Sequence, residues 1–340
     1  MILVTGGAGY IGAVTVRELL DKGFAVRVLD KFLYGDYPLA DVKNRIEAVQ
    51  GDICDIDDAM LDGVKAVIHL AGLSNDPTAE FNPAANHRLN TVATEAIAEA
   101  CKRKGVQRFI FASSCSIYDR GFMAVDALQD EETPVEPRAA YATSKHAAEQ
   151  ILLKLTDKHF QPVLLRQGTV FGWSPRMRYD LVVNTFVKSA FEQRKLTVHC
   201  GGEMWRPLVD VNDIAKAYLV CLQADINLIG GQTFNLVQKN YRILELAHWV
   251  RKALKGIVDI DIEVEYGSQT ARDYRVSGEK IAKVLGFRPS RTVEEAAREM
   301  AEKAQRGIFA DFHNPRYYNI KWLEMLVEIK AHLDRMGSIF

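Results

Sequence analysis

Tyr141 and Lys145 stand four residues apart in a chain of 340 residues. On a helix that spacing puts both side chains on one face. A phenol titrates near 10 in water, too high for a base at neutral pH, with a pKa of about 10. A neighbouring ammonium stabilises the phenolate and lowers that value. The lysine can also bond the ribose of a nicotinamide. Upstream, Ser113-Ser114-Cys115-Ser116-Ile117-Tyr118 follows the strand candidate Arg108–Ala112. A serine hydroxyl there would hold a substrate oxygen against the tyrosine. The chemistry is proton transfer coupled to hydride transfer. Tyrosine takes the proton of an alcohol while hydride leaves the same carbon, and the reverse step reduces a ketone.

A hydride carrier has to be held beside that pair, and the start of the chain has the pattern for it. Ile2-Leu3-Val4-Thr5 reads as an apolar strand, and Gly6-Gly7-Ala8-Gly9-Tyr10-Ile11-Gly12 as a tight turn into a helix. Gly6 permits the turn, Gly9 lets a pyrophosphate approach the backbone, and Gly12 lets helix and strand pack closely. The first helical N–H groups then face the phosphates with the positive end of the helix dipole. The helix runs through Val14, Val16, Leu19 and Leu20 to about Gly23, and a second strand ends at Asp30. An acid about 20 residues past the turn can bond the adenosine ribose hydroxyls. Its charge favours NAD over NADP, although Lys31 beside it is a cation that could tolerate a 2′-phosphate.

The rest of the first half alternates strands and helices. Ile46–Gln50, Ala66–Leu70, Phe109–Ser113 and Val163–Arg166 read as strands, with helices at Asn90–Lys104 and Ala139–His159. This rhythm predicts an α/β fold, a Rossmann-type doubly wound parallel sheet with helices on both faces. Ligands in such sheets sit beyond the carboxyl ends of the strands, where Asp52, Gly72, Ser114 and Gly168 fall. After residue 167 the rhythm loosens. Helices near Leu181–Gln193, Val211–Gln223, Ile243–Lys255, Ser277–Leu285 and Val293–Gly307 alternate with short strands. The expected organisation is a dinucleotide-binding domain over 1–167 and a smaller α/β substrate-binding region over 168–308. A helical tail over 309–340 would contain the amphipathic stretch Ile320–Met336.

The formal charge of −1 gives no electrostatic footprint for a nucleic acid or a membrane. A polyanionic substrate would have to be met by local arginines. Five cysteines lack CxxC spacing and read as reduced thiols of a cytoplasmic protein. No apolar run reaches the roughly 18 residues of a membrane helix, and the early first strand leaves no room for a signal peptide. No metal-ligand pattern is expected.

On the glycine turn, Asp30, Asp52-Ile53, Leu70-Ala71-Gly72, Asn90, Ser114, Tyr141/Lys145 and Arg166 through Gly172, the chain resembles the extended short-chain dehydrogenase/reductases. Within these it is similar to the nucleotide-sugar epimerase/dehydratase family, which includes UDP-glucose 4-epimerase-like enzymes. The match covers residues 1 to about 308. The resemblance implies NAD as cofactor and a nucleotide-diphospho-sugar as substrate. It implies cofactor contacts from Gly6, Gly9, Tyr10, Ile11, Gly12, Asp30, Asp52, Ile53, Leu70, Ala71, Gly72, Asn90, Tyr141 and Lys145. It selects Ser114 as the catalytic serine with Tyr141 and Lys145. It implies substrate contacts from Ser74, Ser116, Thr169, Arg206 in Trp205-Arg206-Pro207, and Arg272, the two arginines on the diphosphate. It also implies a homodimer through the helices Asn90–Lys104 and Ala139–His159; the apolar positions Ile97, Ala98, Ile151 and Leu155 suit such an interface and equally suit packing on the sheet.

Four departures qualify the resemblance. Sugar 4,6-dehydratases carry an Asp-Glu pair after the catalytic residue, where this chain has Cys115 and Ser116. Neither supplies the acid and carboxylate of an elimination. Cys115 is expected as a small buried residue, with a tuned thiol acid as the alternative. Thr169 stands where many epimerases have Asn, and Ser277 replaces an Asp. The tail has no counterpart in the common pattern. It could cap the site or serve assembly, and simple docking on the surface is the expectation. Among reactions, 4-epimerisation is favoured, with net reduction or oxidation and an atypical dehydration as alternatives. A non-enzymatic NAD sensor is disfavoured because Tyr141 and Lys145 are both present.

Overall fold

The computed structural model describes residues 1–119, 127–267, 272–308 and 310–337; Phe309, the expected start of the tail, lies outside the described residues. Seven parallel strands form the main sheet, in the order Thr233–Leu236, Gln161–Gln167, Arg108–Ser114, Ala66–His69, Ile2–Thr5, Val26–Asp30, Ile46–Gln50. Strands covered on both faces need apolar residues at nearly every position. Ile2, Leu3 and Val4 and the run Val163-Leu164-Leu165 meet that need and are buried. The first helix, Tyr10–Asp21, packs Val16, Leu19 and Leu20 in one core with Ile214, Ala217 and Tyr218 of the helix Val211–Gln223. On the other face Ile97, Ala98 and Leu152 join Phe109 and Phe111. Ile97 and Ala98 are therefore fully buried against the sheet, the second of the two placements the sequence allowed, and are not exposed for a partner.

The second region holds a three-stranded sheet, Lys239–Arg242, Trp205–Asp210 and Thr169–Phe171, and its own apolar core. The two regions interleave along the chain. After residue 167 the chain returns to the main sheet with the strand Thr233–Leu236 and to its face with the helix Val211–Gln223.

Helix ends differ from the sequence reading where side chains compete with the backbone. The helix bearing Tyr141 spans Ala140–Leu155 and stops short of His159. Asp157 accepts from the N–H groups of His159 and Phe160 at 2.8 and 2.9 Å and turns the chain. Ser277 likewise accepts from Glu279 N, and that helix starts at Glu279. The tail helix spans Asn319–Met336. It is anchored at its start, where Tyr317 and Tyr318 are buried in the second core.

Candidate active site

The glycine turn is built as its spacing requires. A Cβ on Gly12 would overlap the Gly6 carbonyl oxygen, so only glycine closes this turn. The first ladder bond of the helix is Ala13 N to Gly9 O at 3.0 Å, so the N–H groups of Tyr10, Ile11 and Gly12 precede the ladder. Asp30 ties the turn to the second strand: its carboxylate accepts from Ala8 N at 2.9 Å and Phe32 N at 2.8 Å. Burial pushes its pKa up against these bonds. Lys31 is engaged by Asp52 at 2.6 Å. Behind Gly72, Asn90 sits in a single π-helical turn, Arg88–Val92. Its amide nitrogen donates to Leu73 O at 3.0 Å and to Ser144 Oγ at 3.2 Å on the tyrosine helix.

A cleft runs along this edge. Gly6, Gly9, Tyr10, Ile11, Gly12, Asp30, Asp52, Ile53, Leu70, Ala71, Gly72 and Ser74 all line it. A dinucleotide fits this wall, because the turn closes only without side chains at Gly6 and Gly12 and presents helical N–H groups. Tyr10 contributes through its backbone. Its ring is buried, and the hydroxyl donates to Gly172 O at 2.6 Å, bracing the first helix against the second region.

Ala112 lines the cleft; two residues further on Ser114 meets Tyr141, and Lys145 bonds the Ala112 carbonyl. Ser114 caps a short turn, accepting from Ser116 N at 3.1 Å, and shares a hydrogen bond with the Tyr141 phenol. Tyr141 lies in the first turn of its helix, where the dipole favours a developing negative charge. Burial nevertheless pushes the phenol up to about 12, and the Ser114 hydrogen bond and then the Arg178 cation oppose it. Arg178 is a cation near the phenol that the sequence reading did not include. Lys145 donates to Ala112 O at 2.9 Å and lies over the Phe111 ring. Burial depresses its pKa to about 8 despite Glu149 nearby.

The expected substrate residues divide. Ser74 is bonded by Arg178 at 3.3 Å and Asn319 at 2.8 Å. Arg206 donates to the carbonyl of Arg272, so the two arginines adjoin. Arg272 is already ion-paired with Asp76 and Asp119, whereas Arg206 is held by backbone carbonyls. Thr169 lies on the strand beside that of Arg206, in register with Leu208. Ser116 is buried, and its hydroxyl has no partner among the described residues. Cys115 is fully buried, its thiol bonded to Arg166 O at 3.1 Å and its pKa pushed up by burial. It is a packing residue here, not an acid.

Four polar residues were missed in sequence. Glu149, two turns beyond Tyr141, makes a buried ion pair with Arg166 at 2.7 Å and accepts from Ser113 at 2.5 Å. A carboxylate four residues past Lys145 was its readable signal. Arg178 pairs with Asp180 at 2.8 Å. Arg176 and Asn319 line the cleft.

Residues 2–236 match the model of the NAD dependent epimerase/dehydratase family. A dTDP-glucose 4,6-dehydratase of Streptomyces niveus is 30% identical over 85% of this chain and 88% of its own. A UDP-glucose 4-epimerase of Bacillus subtilis is 27% identical over 86% of this chain and 94% of its own. The structure of MoeE5 in complex with UDP-glucuronic acid and NAD superposes with a TM-score of 0.78 at 25% identity, covering 90% of this chain and 99% of that one. The chain belongs to the NAD dependent epimerase/dehydratase family and is an enzyme of the extended short-chain dehydrogenase/reductase type.

Proposed function

We propose that this enzyme epimerises a nucleotide-diphospho-sugar at C4, with NAD as a resident cofactor. The observation that carries the reading is the pairing of Ser114 with Tyr141 just past Ala112, which lines the glycine-turn cleft, next to a Cys115–Ser116 pair that is buried and lacks carboxyl groups. NAD, when bound, would supply reversible hydride transfer to either face of the sugar carbon. Ser114 orients the reacting hydroxyl. Tyr141 accepts its proton as the ketone forms and gives it back on re-reduction. Lys145, close to Gly72 and Asn90, would hold the nicotinamide ribose. Arg206 would grip the substrate diphosphate, since it has no carboxylate to release first among the described residues. Asp30 on the cleft wall, and Lys31 already held by Asp52, support NAD over NADP.

Incubation with UDP-, GDP-, CDP- and dTDP-sugars, read by mass and NMR, tests this. An isomer of unchanged mass with no net NADH absorbance is expected. Loss of one water would assign a dehydratase, and stoichiometric NADH consumption a reductase. Tyr141→Phe should lower turnover by roughly 10²–10⁴-fold with NAD still bound.

The helices Ala93–Arg103 and Ala140–Leu155 would meet those of a second copy, with Val92 exposed and Ile151 and Leu155 partly so. Light scattering at micromolar concentration should give a dimer mass; a monomer would sink this assignment. The five cysteines are all free, which suits a cytoplasmic location.

A further inference from the structure

Three distant pieces of chain meet on the cleft wall. The loop after the strand Val26–Asp30 supplies Tyr34, the segment after Gly172 supplies Arg176, and the tail supplies Asn319. The Arg176 guanidinium lies 3.8 Å from the centre of the Tyr34 ring, and its Nη2 donates to Asn319 Oδ1 at 2.6 Å. Asn319 Nδ2 donates in turn to Ser74 Oγ at 2.8 Å. All four residues line the cleft. The tail is pinned on both sides of this contact. Tyr317 and Tyr318 are buried before it, and Trp322 Nε1 donates to Leu33 O at 2.7 Å after it, next to Tyr34.

The charge in this cluster is unbalanced. Arg176 is 1% exposed, its Nε is buried without a hydrogen-bond partner, and it forms no ion pair among the described residues. The carboxylates whose fields reach it are already engaged, Asp30 by two backbone N–H groups and Asp180 by Arg178. A buried guanidinium without a counter-ion is costly, and a diphosphate in the cleft would supply one. The segment is also stitched to the right place. Ser174 Oγ donates to Tyr10 O at 2.7 Å, and the Tyr10 hydroxyl to Gly172 O at 2.6 Å. Arg176 is thereby tied to the helix N-terminus that faces phosphates, while Asp30 on the adjoining wall would repel a phosphate on the adenosine ribose.

We propose that Arg176 is the counter-charge to the diphosphate of the bound dinucleotide, and that the C-terminal segment holds it there through Asn319 and keeps the cofactor in. The glycine turn offers dipoles on one side and Arg176 a full charge on the other. The proposal rests on the NAD reading above.

Calorimetry with NAD, NADP, ADP and adenosine on nucleotide-free protein, and a chase of NAD from the holoenzyme, test it. Arg176→Met keeps the length and removes the charge. It should weaken NAD and ADP by about ten- to hundredfold and leave adenosine within about twofold. Asn319→Ala should speed NAD release about tenfold. Equal losses for ADP and adenosine would mean a merely structural role and overturn the proposal. A loss confined to NADP would place the cation at the ribose and overturn it too. Release from Asn319→Ala at the wild-type rate would remove the tail from the account. Wild-type protein that binds no NAD would instead bring down the underlying reading.

Discussion

Arg166 and Arg176 lie ten residues apart and are both buried, yet their charges are met in opposite ways. Around Arg166 the protein completes its own circuit. Glu149 takes Nε and Nη2, the Tyr118 hydroxyl accepts from Nη1 at 2.7 Å, and Tyr118 donates onward to Asn235 at 2.9 Å. Around Arg176 there is an aromatic face and one amide oxygen. A buried charge matched within the fold is scaffold. One left unmatched on a cleft wall is set for something that arrives from outside.

The comparison is broken most severely by removing the internal partner. Glu149→Gln leaves Arg166 buried without its anion, and urea unfolding should show a loss of about 3–5 kcal/mol. If stability hardly moves, the Glu149–Arg166 pair is not the scaffold described here. Arg176→Met gives the contrast. In nucleotide-free protein it should change stability by no more than about 1 kcal/mol, in either direction, because an uncompensated charge is replaced by an apolar chain. A loss as large as that of Glu149→Gln would erase the distinction. A pH-dependent effect concerns Lys145, whose folded pKa of about 8 lies below the ordinary lysine value. Between the two values the unfolded chain binds the extra proton, so raising the pH through that window favours the folded state. Below about pH 8 the full cost of burying the ammonium is present. Wild-type stability should therefore rise relative to Lys145→Met from about pH 8 upward, read as the difference in thermal midpoints. A difference that stays flat would show that the buried amine does not titrate in this range.

What could be read from sequence was local. The glycine turn, Asp30 and the Tyr141/Lys145 pair depend on spacings within one or two elements, where backbone geometry fixes which atoms meet. The strand Ile46–Gln50 and the helix Val211–Gln223 have the bounds the pattern implies, because apolar residues and their flanks agree there. The partners of Arg176 are a different matter. Asn319 is 143 positions away along the chain, and no periodicity links the two. Ile97 and Ala98 show the opposite failure. Their helix has two apolar-facing possibilities, the sheet or a second copy, and only the packed core decides between them. The nearness of Arg178 to Tyr141 was illegible for a related reason: the two sit on separate elements, and only the folded chain brings the cation within range of the phenol.

The edge strand Thr233–Leu236 carries a consequence for how the protein is made. Ribosomal synthesis must pass residue 236 before Gln161–Gln167 gains its outer neighbour. Until then that strand presents open N–H and C=O groups, the kind of surface on which nascent chains stick to one another. A gene fragment cut at residue 167 would keep every glycine of the opening turn and still yield a sheet with a bare, adhesive border. The nucleotide half of this enzyme is therefore not a portable module, and any transplant of it must carry the returning strand along.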